Sequence, residues 1–230
     1  MKILLVAATQ FEIAPLLVSA KRVMAQGAKR KSIFIDNPID ILITGVGMTA
    51  TAFHLGKIFT EKKYDLAINA GVAGSFKKNS AKARIRPSAH IPPGTVVNVV
   101  QDCFADFGAE DGNEFLTAEE INLVQSSEFR VQSSKFRNKT LNALPKAKAI
   151  TVNTVHGNTS SIKRAVKKFN PDIESMEGAA FFFACNNEKT PCIQIRSVSN
   201  YVERRNKKNW KMDLAIRNLN LFLLEFLNTI

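Results

Sequence analysis

IDILITGVGMTATAFHLGKIFTEKKYDLAINAG, residues 39–71, decides the fold class. It opens on an apolar run of strand length, turns through Gly45 and Gly47, and continues from Met48 to Lys63 with apolar residues near the 3.6 spacing of a helix. A second apolar run, DLAINAG (65–71), closes it. A strand, a helix and a strand in that order make a crossover, which joins parallel strands of one sheet. The alternation extends outward through KILLVAA (2–8), GTVVNVVQ (94–101), KAITVNT (148–154) and PCIQIRSVS (191–199), with helical spacing in 159–169, 174–189 and 213–227. The expected fold is therefore α/β: a single domain, 1–230, built as a three-layer α/β/α sandwich around a central mixed, mainly parallel sheet. Such sheets take ligands beyond the carboxyl ends of their strands. That directs attention to Thr9–Glu12, Gly45–Met48, Gly71–Ser75, Asn153–Gly157 and Ser197–Glu203.

The 230 residues are 45% hydrophobic, enough for a sizeable core. No apolar run reaches the roughly 18–20 residues that span a bilayer, and MKILLVAATQFE (1–12) turns polar too early for a secretory signal. It reads as a first strand in a cytoplasmic protein with no membrane partner. Cys103, Cys185 and Cys192 lie far apart in apolar contexts and read as reduced core residues, not as a disulfide or zinc framework. A net charge of +12 makes a nucleic-acid-binding module the competing class. The basic residues are dispersed over 77–86, 146–148, 163–168 and 204–208, however, with no recognised motif around them, so solvated faces and no nucleic-acid partner are expected. KKNSAKARIRPSAH (77–90) reads as an extended loop or insertion.

TGVGMT (44–49) and NAGVAGSF (69–76) carry spaced glycines that suit tight turns and close backbone approach, but neither matches a dinucleotide or P-loop fingerprint. Each alone reads as a strand-ending turn. His54 falls in a helix pattern and His90 in the basic loop. His156 follows a strand and is a pocket candidate, and no spacing indicates a metal site or a Ser/His/Asp arrangement. ESMEGAAFFFAC (174–185) is different, because it sets Glu177 against an apolar run. An ionised carboxylate out of water needs partners. Two adjacent ribose hydroxyls can both donate to one carboxylate, with Met176 as an apolar surface against the ring. A helix N-terminal Glu favoured by the macrodipole is the structural alternative.

ATQFE (8–12), ITGVGMTAT (43–51), NAGVAGSF (69–76), SMEGAA (175–180) and RSVSN (196–200), in this order, resemble the nucleoside phosphorylase/hydrolase superfamily, and within it the 5′-substituted nucleosidases. TVNTVHG (151–157), ESMEGAAFF (174–182) and SNYVERRNKKNW (199–210) are similar to the futalosine hydrolases of menaquinone biosynthesis. The resemblance implies a cofactor-free, metal-free hydrolase that releases hypoxanthine from futalosine, and a homodimer whose partner completes the pocket. It implies that Glu177 chelates the ribose hydroxyls over Met176 and that Glu12 activates water. Gly71, Val72 and Gly74 would line the sugar and base, and Val155, His156 and Gly157 would pack on the purine. Glu203 is a candidate for the N1 proton of hypoxanthine. Trp210, Phe104, Phe107, Arg204 and Arg205 are candidates for a 5′ aromatic carboxylate, and Glu174 is left as structural.

Asn200 stands where adenine-specific relatives carry an Asp. An amide can donate to N7 or to a 6-oxo group, which suits hypoxanthine or guanine. The implied alternative, an adenine-releasing nucleosidase for methylthioadenosine, S-adenosylhomocysteine or aminodeoxyfutalosine, fits that residue less well. A carboxylate at the nucleophile site repels phosphate, and TQFEIAP (9–15) holds no Arg beside Glu12, so water is the expected nucleophile.

Overall fold

The computed structural model describes residues 1–25, 39–77, 91–124, 126, 128–130 and 138–230. All but the first residue of the 77–90 stretch, with His90 in it, lies outside the described residues. The 39–71 unit forms as expected: β2 (Ile39–Ile43), α2 (Met48–Glu61) and β3 (Leu66–Ser75). β1 (Ile3–Ala7) pairs in parallel with both β2 and β3. β10 (Cys192–Tyr201) runs parallel to β3 on one side and antiparallel to β4 (Val96–Cys103) on the other. β4 pairs in parallel with β8 (Lys146–Thr151), β8 with β9 (Ile173–Ser175), and β9 returns antiparallel to β3. The strands β3, β10, β4, β8 and β9 thus close on themselves, with β1 and β2 extending from β3. The sheet is mixed and mainly parallel, as its alternation with helices requires.

Side-chain alternation along the strands builds a core on each face. Ile3, Leu5, Leu66, Ile68, Ile193 and Ile195 meet α1 (Gln10–Ala25) and α6 (Met212–Leu227) through Ile13, Leu16, Leu219 and Leu223. Their neighbours Leu4, Val6, Ala67, Val97 and Val99 face Leu55 and Phe59 of α2 and Phe181, Phe182 and Cys185 of α5 (Gly178–Asn187). A third cluster seats α4 (Thr159–Phe169) on Ile150 and Val152, leaving Lys163, Arg164 and Lys167 exposed. Cys103, Cys185 and Cys192 are buried and unbridged. Among the described residues no helix is long and apolar enough to cross a membrane.

Two expectations are corrected. The 174–189 segment is not one helix, because Glu174 and Ser175 belong to β9, held between β3 and β8, and α5 starts only at Gly178. NAGVAGSF does not turn at Gly71 either; β3 runs on to Ser75 because β10 and β9 supply hydrogen-bonding partners on both sides. A hairpin of β5 (Gly108–Asp111) and β6 (Glu114–Thr117), a short β7 (Glu128–Arg130) on β4, a one-turn α3 (Lys139–Asn142) and a 3₁₀ turn at Lys207–Asn209 complete the described elements.

Candidate active site

Glu177 is the N-cap residue of α5, yet its side chain does not cap the helix. It is buried, and its Oε1 accepts the Gly47 backbone N–H at 3.1 Å while its Oε2 faces Arg196 Nη1 at 3.4 Å. Gly47 presents that N–H from φ +98°, a conformation open to glycine and costly to other residues. Removing one member of such a buried ion pair strands the other charge, at about 3–5 kcal/mol.

Glu12 lies in the first turn of α1, and its carboxylate folds back onto Thr9, just after β1, and onto β3. Oε1 accepts Val72 N–H at 3.0 Å, and Oε2 accepts Thr9 N–H at 2.9 Å and the Thr9 hydroxyl at 3.2 Å. Burial pushes the Glu12 carboxyl above its ordinary value; Arg196 and the two backbone N–H donors oppose this, and Glu177 adds to it. Arg196 is therefore the hub. It is 1% exposed, belongs to β10, and lies in register with Gly71 of β3. A Cβ on Gly71 would run into Arg196 Nη1 and stand 2.8 Å from Glu12 Oε1. The glycine thus makes room for the protein's own guanidinium and carboxylate. Behind Arg196, Nε donates to Gln194 Oε1 at 3.0 Å, whose Nε2 donates to Asp102 Oδ2 at 3.0 Å. Arg196 Nη2 is buried with no hydrogen-bond partner among the described residues.

The second group lies further along β3. Gly74 is in register with Asn200 on one side and Glu174 on the other, and a Cβ there would stand 2.9 Å from Val202 and 3.4 Å from Asn200 Nδ2. Asn200 Oδ1 accepts the Ser199 hydroxyl at 2.7 Å, and Nδ2 gives one hydrogen to the Tyr201 carbonyl at 2.9 Å, which leaves its second hydrogen without a partner among the described residues. Glu174 is buried and grips His156 twice, accepting its backbone N–H at 3.1 Å and contacting Nδ1 at 2.6 Å. Gly157 approaches Arg205, whose guanidinium lies 5.4 Å from the Trp210 ring centre. Lys211 N–H donates to the Ser199 carbonyl at 2.8 Å and folds this segment back onto the end of β10.

The fold thus gathers Glu12, Gly71, Val72, Glu177 and Arg196 in one cluster, and Gly74, Asn200, Glu174 and His156 beside it. Met176 is half-buried and Val155 is exposed. Glu203 pairs with Lys77 at 2.7 Å and accepts from Asn209 at 3.1 Å, and both hold its carboxyl below the usual range. Phe104 and Phe107 belong to a different group, an aromatic cluster with Phe129 and Phe183. Two clefts among the described residues lie away from these carboxylates. One of 560 Å³ between the β5–β6 hairpin and α4 reaches only His156, and one of 600 Å³ lies between α1 and α6. Arg196, Gln194 and Asp102 escape a sequence reading, because polar residues set among apolar ones in CIQIRSV and VVNVVQD read as the solvent-facing side of a strand. The absence of Arg around Glu12 in sequence is made up in space by Arg196 from β10.

A family model described as the phosphorylase superfamily matches residues 2–228. The chain belongs to that superfamily. Solved structures share the whole fold at low identity. A futalosine hydrolase of Helicobacter pylori gives a TM-score of 0.75 at 15% identity, covering 100% of this chain and 98% of that one. The 5′-methylthioadenosine/S-adenosylhomocysteine nucleosidase of Neisseria meningitidis, complexed with methylthio-immucillin-A, gives 0.71 at 16%, covering 100% and 99%. The corresponding nucleosidase of Streptococcus pneumoniae with 8-aminoadenine gives 0.75 at 18%, covering 100% of both chains. No curated protein sequence matches the chain.

Proposed function

We propose that this member of the phosphorylase superfamily is a cytoplasmic nucleosidase that hydrolyses the N-glycosidic bond of a 5′-substituted purine nucleoside, with futalosine, and hence menaquinone biosynthesis, the favoured case. The observation that carries the reading is the buried set of Glu12 and Glu177 around Arg196, beyond the end of β1 and against the middle of β3 and β10. With Asp102 behind, three carboxylates face one guanidinium, a field that favours a sugar turning cationic as its bond to the base breaks. Glu177 keeps lone pairs beyond those taken by Gly47 and Arg196, enough to accept from two ribose hydroxyls. Glu12 takes the proton of the attacking water, a role for which burial makes it a stronger base than an ordinary carboxylate. Phosphate is disfavoured although Arg196 is close, because Gln194 and Glu177 already engage the guanidinium and an anion would meet two carboxylates.

The uncommitted N–H of Asn200 supports a 6-oxopurine: it donates to N7 or O6, and no acid stands there to protonate adenine at N7. Arg205 and Trp210, already in contact beyond β10, are the proposed seat for an aromatic carboxylate on the 5′ carbon. A homodimer is proposed through the apolar side chains left exposed on α2 and α5, Phe53 and Phe183. The deciding experiment incubates the protein with futalosine, methylthioadenosine and inosine, with and without phosphate, and identifies the base. Phosphate-independent release of hypoxanthine from futalosine is expected. Adenine from methylthioadenosine as the faster product overturns the choice of base, and a phosphorylated sugar overturns hydrolysis.

A further inference from the structure

Arg196 is gripped from behind by groups that stand apart from both carboxylates of the site. Asp102, Gln194 and Thr151 are 0% exposed. Asp102 Oδ1 accepts the Thr151 hydroxyl at 2.9 Å, and Thr151 Oγ1 accepts the Ala179 N–H at 2.8 Å, which ties the chain to the first turn of α5 just beyond Glu177. A Cβ on Gly178 would collide with Asp102 Oδ2 and Gln194 Oε1, so the residue next to Glu177 is held small by this same pair. Each link has a direction. An ionised Asp only accepts, so it draws Nε2 of Gln194, and the amide then has only its oxygen to offer Arg196 Nε.

We propose that Asp102 and Gln194 are positioning residues: Asp102 sets which way the Gln194 amide faces, and the amide turns the guanidinium so that Nη1 meets Glu177 and Nη2 stays uncommitted for water or nucleoside. The catalytic part of this inference rests on the nucleosidase reading; the orientation of Arg196 does not. Burial pushes the Asp102 carboxyl up to about 6, against hydrogen bonds from Gln194 and Thr151 and the charge of Arg196, so near neutrality it is mainly the acceptor-only form.

The test is an exchange of roles. Gln194→Glu sets two carboxylates face to face across a 3.0 Å contact. Adding Asp102→Asn restores the two matches of the relay: the amide introduced at position 102 donates to the carboxylate introduced at position 194, which still accepts from Arg196 Nε. Turnover of the nucleoside and hydrogen exchange of the Arg196 Nε–H, followed by nitrogen-15 NMR, are measured on wild type, both single variants and the double variant. The expected loss in kcat/KM is on the order of 100-fold for Gln194→Glu and 10-fold for Asp102→Asn. The double variant is expected to recover to within about tenfold of wild type, a strongly non-additive result, with Nε–H protection lost in Gln194→Glu and regained. Additive losses with no regained protection overturn the relay. A wild-type chain that cleaves no purine nucleoside refutes the nucleosidase reading alone, and the exchange data then decide the orientation of Arg196.

Discussion

Gly71→Ala tests the packing at the centre of the site. Gly71 has no positive φ, so alanine fits the backbone of β3 and only space opposes it. The added methyl would lie 2.8 Å from Glu12 Oε1, whereas ordinary contact begins at 3.4 Å; the difference of 0.6 Å is the least the carboxylate must retreat. Arg196 Nη1, nearer still, must move further, and Gln194 and Glu177 resist that motion. Displacements approaching 1 Å in a reacting constellation cost on the order of 10²-fold. The expected loss in kcat/KM is therefore about 100-fold, or about 2.7 kcal/mol of transition-state stabilisation, mostly in kcat because water activation suffers more than nucleoside binding. Base release is followed at saturating and at low nucleoside, with the thermal midpoint as a check on folding. A folded Gly71→Ala protein within about threefold of wild-type kcat/KM would show that Glu12 and Arg196 need not be held as close as the structure has them.

Glu177→Gln removes the carboxylate ion-paired with Arg196 and the negative charge beside the sugar; a fall of about 10²–10⁴ in turnover is expected, and near-normal turnover would return Glu177 to a helix-end role. Glu12 must be ionised to act, and its carboxyl is raised by burial, so kcat/KM should rise with pH through a pKa above the ordinary carboxylate range, and Glu12→Gln should remove that limb along with most of the rate; an unchanged limb assigns it to another group. Asn200→Asp should shift the ratio of kcat/KM toward the adenine nucleoside over its hypoxanthine analogue, since the oxygen facing the Tyr201 carbonyl is then stable only as a protonated donor; a ratio that stays or falls removes Asn200 from base selection. Asp102 titrates at about 6 in the folded protein against 3.8 as its ordinary value, so its contribution to stability is full below 3.8 and is lost as pH rises to 6. Denaturation midpoints of Asp102→Asn should therefore decline less over that window than those of wild type, and parallel curves would contradict a buried, raised carboxyl.

The elements legible in the sequence are those with an apolar run or period of their own: the strands β1, β2, β3, β4, β8 and β10 and the helices α2, α4 and α6. β9 was hidden because its three residues run directly into the apolar face of α5, and only pairing with β3 and β8 makes them strand. Glu177 stood out because a carboxylate beside apolar residues demands a reason. Arg196 raised no such demand from its neighbours in sequence, although it is the largest of the fully buried side chains. Its partners Glu12, Glu177 and Asp102 come from three other elements, and the energetic case for burying it exists only in their presence. In sequence the glycines of β3 suggest backbone freedom; in the structure they make room for side chains, Arg196 and Glu12 at Gly71 and Val202 and Asn200 at Gly74.

β10 comes after every other described strand in chain order, yet it is an inner strand, bonded to β3 on one side and β4 on the other. Until it inserts, a chain with the remaining strands in place carries an open slot with two unpaired edges, the kind of surface that recruits a second chain. The contacts that fill the slot span much of the chain and are slow to form. Because the same strand delivers Gln194, Arg196 and Asn200, closing the slot and assembling the site are one event. During refolding, activity should therefore return in the same phase as resistance to aggregation, and no partly folded species should be active.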